Sequence, residues 1–330
     1  MARGFVFGKF LPFHEGHAAM IRFALGHCEA VTVLVCAGEH EEIPGQRRVA
    51  WIEETFADEP RVEVRCYTYR ESELSSSSES SEEASEAWAD VFLKVLPGHE
   101  VLVTSEPYGE MVARFMGIRH IPFDPPRDQH PISATDIRRN PFANWAFLPS
   151  AVRPWYAIRV ALLGTESVGK TTLAAALAQH FHATWVPEAA RDLIANSNSF
   201  TVEDLHRVVQ AHADATLDAC AGPHPLVFVD TDASTTAGYA RHFFGLDFDL
   251  GRLDDECLRP HLRLYLSADV PHVQDGTRLP DDLRTTMDEV HRKLLAERGW
   301  ACTEISGDWG MRLHQAIAAV NALLHSLRFQ

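Results

Sequence analysis

Two stretches of this chain carry residue types at spacings that do chemistry. The first is "GTESVGKTT", Gly164 to Thr172, which has the GxxxxGK[ST] spacing of a phosphate-binding loop. Gly164 and Gly169 let the backbone N–H groups of Thr165, Glu166, Ser167 and Val168 curl around the phosphates of ATP. Lys170 then reaches the β- and γ-phosphates, the Thr171 hydroxyl ligates Mg²⁺, and Thr172 continues into the helix. The companions narrow the chemistry. "PLVFVDTD" sets Asp230 and Asp232 at the end of an apolar strand, where a carboxylate reaches Mg²⁺ or its water. "VPEAARDLI" puts Glu188 just beyond another strand with Arg191 one turn on, a place from which a carboxylate holds or deprotonates an acceptor hydroxyl. "QDGTR", Gln274 to Arg278, reads as a polar lid that carries an arginine to the transferring phosphoryl.

The second stretch is "GKFLPFHEGH", with Gly8, Lys9, Phe10, His14 and His17. Two histidines three residues apart suit a metal, a core or a phosphate, and HxGH alone does not choose. No Cys or acidic cluster stands near enough in sequence to complete a zinc site. The phrase follows a strand and opens a helix, which puts His17 where anions are stabilised. "PISATDIRR" adds Ser133 and Thr135 as natural N-caps and Arg138 as a positive charge. Together the two segments make phosphate sites at the carboxyl edge of one parallel sheet.

The elements that must position these groups alternate between strand and helix, which predicts parallel α/β sheets. "GFVFGKF", "AVTVLVCAG", "RVEVRCYTY" and "EVLVTSE" are strands of a first domain, 1–150. "YAIRVALLG", "PLVFVDTD", "LRLYL" and "ACTEISG" are strands of a second, 151–330. "RRNPFANWAFLPSAVRPWY" breaks the alternation with prolines and reads as a packed junction. "ESELSSSSESSEEASE", Glu71 to Glu86, is acidic and of low complexity; it reads as a mobile solvated loop and, second, as a phosphorylation target.

Composition bounds the partners. The chain has 330 residues, long for one core and comfortable for two, and a net charge of −16, which disfavours nucleic acid. Its lysines are Lys9, Lys94, Lys170 and Lys293, so two of the four fall inside the two stretches above. The cysteines form no CxxC pair, as expected of a reducing, cytoplasmic compartment. No secretory leader or membrane-length apolar run is visible, so no membrane partner is expected.

GKFLPFHEGH with ISATDIR resembles the HxGH nucleotidyltransferase superfamily. Joined to GTESVGKTT, and with "PGQRRVAWI", "TSEPYGEMVA", "VPEAARD" and "VDTD", the chain resembles the NadR-type bifunctional nicotinamide mononucleotide adenylyltransferase/ribosylnicotinamide kinase family. That resemblance implies a Rossmann-like nucleotidyltransferase sheet followed by a P-loop kinase sheet. It implies that the second domain phosphorylates nicotinamide riboside with ATP and that the first joins the resulting mononucleotide to ATP, giving NAD and pyrophosphate. His14 and His17 would then hold the α-phosphate, and Lys9 and Arg138 the leaving β- and γ-phosphates. Arg47 and Trp51, with Ser105, Glu106 and Tyr108, match substrate-binding segments, and Trp88 would stack on the nicotinamide ring. Some members of the family carry an N-terminal helix-turn-helix; here the first motif begins at residue 8, and no DNA binding is expected. A homo-oligomer is compatible with all of this. Two other readings stay open: another vitamin-nucleotide adenylyltransferase fused to a different small-molecule kinase, and a nucleotide-sensing regulator that binds without turnover.

Overall fold

The computed structural model describes residues 2–76, 80–126, 128–194, 200–248, 256–270 and 281–327. It divides into two compact units, Met1–Val152 and Arg153–Gln330. Each is an α/β unit around a five-stranded, all-parallel sheet.

In unit 1 the chain runs β1 (Arg3–Gly8), α1 (Glu15–Leu25), β2 (Ala30–Gly38), α2 (Gly45–Thr55), β3 (Val62–Tyr69), α3 (Glu82–Val95), β4 (Val101–Thr104), α4 (Tyr108–Met116), β5 (Arg119–Pro122) and α5 (Ala134–Arg139). The sheet order is β3-β2-β1-β4-β5. Strand order reverses between β1 and β4, and the crevice at such a reversal is where open α/β sheets take ligands. Both "GKFLPFHEGH", after β1, and "SEPY", after β4, open there. The continuous apolar run of β2 follows from its place: seven of its residues are buried, as a strand covered on both faces requires. Phe5, Phe7, Leu34 and Leu102 from the sheet meet Phe92, Val112 and Met116 from α3 and α4 in one core cluster.

The segment expected to be a mobile loop over Glu71–Glu86 is corrected. Its second part is the start of α3: Ser81 caps the helix by accepting the Ala84 N–H, and Glu82 and Glu83 occupy the first turn, where negative charge is favourable. Ala84 and Ser85 are already buried. A low-complexity reading misses this because acidic residues mark solvent and helix starts alike. Residues 77–79 lie outside the described residues.

Unit 2 opens with α6 (Arg153–Tyr156) and continues β6 (Ile158–Leu163), α7 (Lys170–Phe181), β7 (Thr184–Val186), α8 (Ala190–Leu193), α9 (Val202–Cys220), β8 (Leu226–Asp230), α10 (Ala233–Phe244), β9 (Leu262–Leu266), α11 (Asp281–Glu297), β10 (Thr303–Ile305) and α12 (Trp309–Ser326). Its sheet order is β10-β9-β6-β8-β7. The second strand of the unit is thus at the edge and the third, β8, lies beside the first. That order pairs Leu162 of β6 with Asp230 at the end of β8, next to the loop that follows β6.

Candidate functional site

In unit 2 the loop after β6 adopts the backbone its glycines predict. Gly164 has φ +134° and Gly169 +87°, and a Cβ on Gly164 would lie 2.6 Å from the Leu266 carbonyl oxygen. Ser167 joins them at φ +61°, an unusual conformation for a non-glycine residue. Lys170 starts α7 and is buried; its Nζ donates to the carbonyls of Gly164 at 3.0 Å and Thr165 at 2.9 Å, lying back across the loop. Thr171 Oγ1 donates to Asp230 Oδ2 at 2.5 Å and accepts from the Arg191 guanidinium at 2.7 Å. Arg191 also reaches Glu188 at 3.3 Å. The structure therefore brings Lys170, Thr171, Glu188, Arg191 and Asp230 into one network.

Asp230 is fully buried, and its Oδ1 has no hydrogen-bond partner. Burial raises its carboxyl pKa, against the opposing pull of the Lys170 charge and the Thr171 hydroxyl. An orphaned carboxylate oxygen beside a threonine hydroxyl fits a hard cation such as Mg²⁺, which takes one or two protein oxygens and completes its shell with phosphates and water. Among the described residues no group of three or more His, Cys, Asp or Glu side chains is placed to hold a metal. A metal here would be held largely by what the substrate brings.

Asp232, expected as a carboxylate facing the substrate, lines the cavity beside this network and is also held by structural partners. It is the N-cap of α10: Oδ1 accepts the Ser234 N–H at 2.8 Å and the Ser234 hydroxyl, while Oδ2 faces Arg263 at 3.3 Å. With both oxygens engaged, it orients the start of the helix. Thr231 between the two aspartates holds φ +74°, a strained value for a β-branched residue, and its N–H bonds the Leu162 carbonyl at 3.0 Å.

Beside this network is a cavity of about 620 Å³. Lys170, Thr171, Glu188, Arg191 and Asp232 are among its polar lining residues, and Phe200, Leu205, Val208 and Tyr239 among its apolar and aromatic ones. Tyr239 donates to Glu166 Oε1 at 2.9 Å, and burial raises its phenol well above the ordinary value. The helix α9 contributes Leu205, Val208, Val209 and His212, spaced i, i+3, i+4, i+7, so one face of it lines the cavity. His212 and Tyr239 are residues the motif search missed; the signal for His212 was a polar side chain on that otherwise apolar stripe.

A third missed residue braces the loop. Arg312 of α12 is fully buried and donates to the Val168 carbonyl at 2.8 Å, to Gly307 O at 2.8 Å and to Ser267 O at 2.9 Å, with Asp269 as its charge partner. Its partners are backbone carbonyls distant in sequence, so no local pattern announces it. Arg278 and its lid segment lie outside the described residues.

In unit 1, His14 is the N-cap of α1, its Nδ1 accepting the His17 N–H at 3.4 Å. The two imidazoles stack with centroids 3.6 Å apart. Gly16 explains the glycine of HEGH: a Cβ there would come within 3.0 Å of the His14 ring. Phe10 holds φ +47° and packs edge-on to His17 at 4.9 Å. The Leu11–Pro12 peptide is cis. Arg138 of α5 donates to the Leu11 carbonyl and to Thr135 Oγ1, so the structure joins the two segments that are far apart in sequence. Ser133 caps α5 by accepting the Asp136 N–H at 3.1 Å.

Lys9 sits beside Glu41 at 3.0 Å and Glu71 at 3.7 Å. Burial acts to lower its ammonium pKa, but the Glu41 hydrogen bond and the charges of Tyr69, Glu41 and Glu71 outweigh it and leave it raised. The organiser is Arg48, the neighbour of the predicted Arg47. Arg48 is fully buried and bridges the Lys9 carbonyl and Glu41 Oε2, both at 2.6 Å, while Glu41 also accepts the Gly38 N–H at 3.1 Å. Arg47 is half-buried on the same helix.

The aromatic part of the substrate reading is corrected. Trp88 is 2% exposed, donates its indole N–H to the Ser75 carbonyl at 3.0 Å and packs on Tyr69 and Phe92. It is a core residue of α3, not a platform open to a ring. Tyr108 is buried in the same cluster, and Trp51 belongs to the buried face of α2. Ser105 and Glu106 remain half-buried at the end of β4, where the Ser105 hydroxyl points at Met20 Sδ, 3.8 Å away.

Residues 5–140 match the family "Cytidylyltransferase-like" and residues 159–312 the family "AAA domain". The chain is 26% identical over 299 residues to the "Trifunctional NAD biosynthesis/regulator protein NadR" of Escherichia coli K12, covering 83% of this chain and 71% of that protein. The protein of the same description from Salmonella typhimurium LT2 is 25% identical over 300 residues. A solved structure of NadR protein in complex with NAD and AMP-PNP superposes with a TM-score of 0.73 at 23% identity, over 98% of this chain and 96% of that one. A second, in complex with NR, gives 0.72 over 97% and 95%. At that identity the superpositions establish the shared fold: a cytidylyltransferase-like α/β domain followed by a P-loop one.

Proposed function

We propose that this homologue of the NadR proteins is a bifunctional enzyme of NAD biosynthesis, a nucleoside kinase and a mononucleotide adenylyltransferase in one chain. The observation that carries the reading is the pairing, in one polypeptide, of a phosphate loop opening onto a nucleoside-sized cavity with a second phosphate site built on HxGH. The relatives described as NAD biosynthesis proteins, and a solved relative holding NR, support nicotinamide riboside as the nucleoside.

In unit 2 the loop amides and Lys170 hold the ATP phosphates. Thr171 and Asp230 would hold Mg²⁺, which would supply positive charge to the transferring phosphates. Glu188 lines the cavity beside Arg191; Asp232 is taken up by a helix cap and Glu166 by Tyr239, so Glu188 receives the acceptor hydroxyl and takes up its proton. Arg191, between Thr171 and Glu188, is placed to follow the phosphoryl group from donor to acceptor.

In unit 1 no covalent intermediate is required. The mononucleotide phosphate attacks the α-phosphorus of ATP in line, so the protein contributes position and charge. His14 and His17 at the start of α1 face the α-phosphate, and Arg138 with Ser133 and Thr135 faces the leaving pyrophosphate. Arg48 and Glu41 position Lys9 for the same group. The product of unit 2 is the substrate of unit 1.

Incubation of the purified chain with ATP, Mg²⁺ and nicotinamide riboside, followed by chromatography, tests this directly. Sequential appearance of the mononucleotide and NAD is expected. Tight nucleotide binding by calorimetry without either product would favour a sensing role instead.

A further inference from the structure

Unit 2 sets an exposed aromatic side chain against the loop that follows β6. Trp309, the first residue of α12, is 51% exposed, and among the described residues it is the one exposed tryptophan. A single apolar side chain in water is ordinary on a protein surface; one braced from two sides against a phosphate loop is a prepared face. A Cβ on Gly169 would lie 2.0 Å from Trp309 Cη2 and 2.3 Å from Cζ3, so the six-membered edge of the indole abuts the second glycine of the loop. The Arg312 guanidinium lies over the ring, 5.6 Å from its centroid, and is itself fully buried and tied to the carbonyls of Val168 and Gly307. The cation therefore covers the inner side of the indole, and the exposed half is the opposite face. Asp308 fixes the helix start by accepting the Met311 N–H at 2.9 Å, and Met311, 54% exposed, adds a second apolar side chain in the same turn.

Position identifies what this face takes. The loop residues Ser167, Gly169, Lys170 and Thr171 line the cavity that receives the acceptor, whereas Trp309 and Met311 are not among the described residues that line it. For in-line transfer the γ-phosphate of the donor must face the acceptor in that cavity. The base of the donor, at the far end of the triphosphate, then lies outside the cavity and along the loop. Gly169 belongs to both places, since it lines the cavity and carries the indole edge. A purine offers a flat π-face rather than a charge, and an indole already held in position loses little freedom in meeting it. We propose that the exposed face of Trp309 is the platform on which the adenine of the ATP donor stacks in the kinase step.

This rests on the kinase reading above, and the experiment separates the two. Phosphorylation of nicotinamide riboside is measured against ATP concentration for the full chain and for Trp309→Ala and Trp309→Phe, with inorganic tripolyphosphate as a base-free competitor of ATP. Trp309→Ala is expected to lower kcat/KM for ATP about 10–100-fold, chiefly through KM, as loss of one base–aromatic stack does. Inhibition by tripolyphosphate should change by less than about threefold, because the main-chain nest that holds phosphate is left in place. Trp309→Phe, which keeps a ring, should restore part of the loss, and circular dichroism checks that both variants fold. A parallel loss of tripolyphosphate inhibition would mean that Trp309 only holds the loop in shape. An unchanged KM for ATP would mean that the indole does not meet the base. Either result overturns the inference while leaving the kinase intact. No phosphorylation of the riboside by the unmodified chain would overturn the kinase reading and this inference with it.

Discussion

The two units place the loop we propose to hold phosphate at the same point of similar parallel sheets, after the first strand and at the start of the first helix. They equip it differently. In unit 2 the loop is a main-chain nest, held open by Gly164 and Gly169 and crossed by Lys170. In unit 1 the loop presents side chains, the stacked imidazoles of His14 and His17 over a helix N-terminus. Sheet order accounts for the neighbours of each. Because β8 lies beside β6, unit 2 sets the Asp230 carboxylate against its loop. Because β2 lies beside β1, unit 1 sets the end of β2 there instead, and Gly38 anchors Glu41, which holds Lys9 and Arg48. One arrangement suits a cation shared with bound phosphates. The other suits a leaving group drawn off by fixed positive side chains.

The largest test of this contrast is a crossed pair of variants. Lys170→Ala should reduce riboside phosphorylation by at least about 10³-fold while leaving NAD formation from supplied mononucleotide unchanged. His17→Ala should do the reverse, by about 10²–10³-fold. Product analysis with each substrate supplied separately reads both; loss of both steps in either variant would break the division of labour.

A smaller effect concerns acid. Both units bury histidines whose pKa values are lowered, His99 and His120 in unit 1 and His212, His261 and His291 in unit 2, in each case chiefly by burial. His261 and His291 are held down to about 4, from the ordinary histidine value of 6.5, with the Arg159 charge adding to the first and the Lys170 charge to the second. A base held neutral in the fold binds fewer protons folded than unfolded. It contributes stability above about pH 6.5 that is lost as pH falls toward its folded value. Asp230 acts with the opposite sign, since its raised carboxyl takes up a proton more readily in the fold. With three such histidines against two, unit 2 should lose hydrogen-exchange protection before unit 1 between about pH 6.5 and about pH 4. Loss in the opposite order would mean that other groups govern acid stability.

The smallest expected effect on activity is at Trp88. Trp88→Phe should cost about 1–2 kcal/mol of stability in denaturant unfolding, as a core truncation does, and shift the KM for the mononucleotide by less than about twofold. A large KM change at constant stability would return Trp88 to the substrate.

Legibility divided along the same physical line. The turn at Gly164 and Gly169 and the helix start at Lys170 and Thr171 were readable because such a loop is made by consecutive residues, so its signal is local. Gly16 was readable as part of a motif, but its reason, contact with the His14 ring, emerged only in three dimensions. Trp88 was misread because an aromatic residue near a substrate segment and one in a core carry the same sequence signal. Arg48, Arg312 and His212 were missed because their partners are backbone carbonyls, a distant carboxylate or an open cavity, none adjacent in the chain.

By itself the sequence determined two parallel α/β units, the loops we propose to hold phosphate in each, and the residues at their helix starts, since alternating periodicity and glycine placement are local properties. Only the tertiary structure decided which strand lies beside each loop, and hence that Asp230 stands beside one loop and Glu41 with Arg48 beside the other. It also decided which aromatic residues are core and that α9 turns His212 into the cavity. Those are outcomes of strand order and packing, where one face must be buried against another, and nothing in a single segment specifies its neighbour.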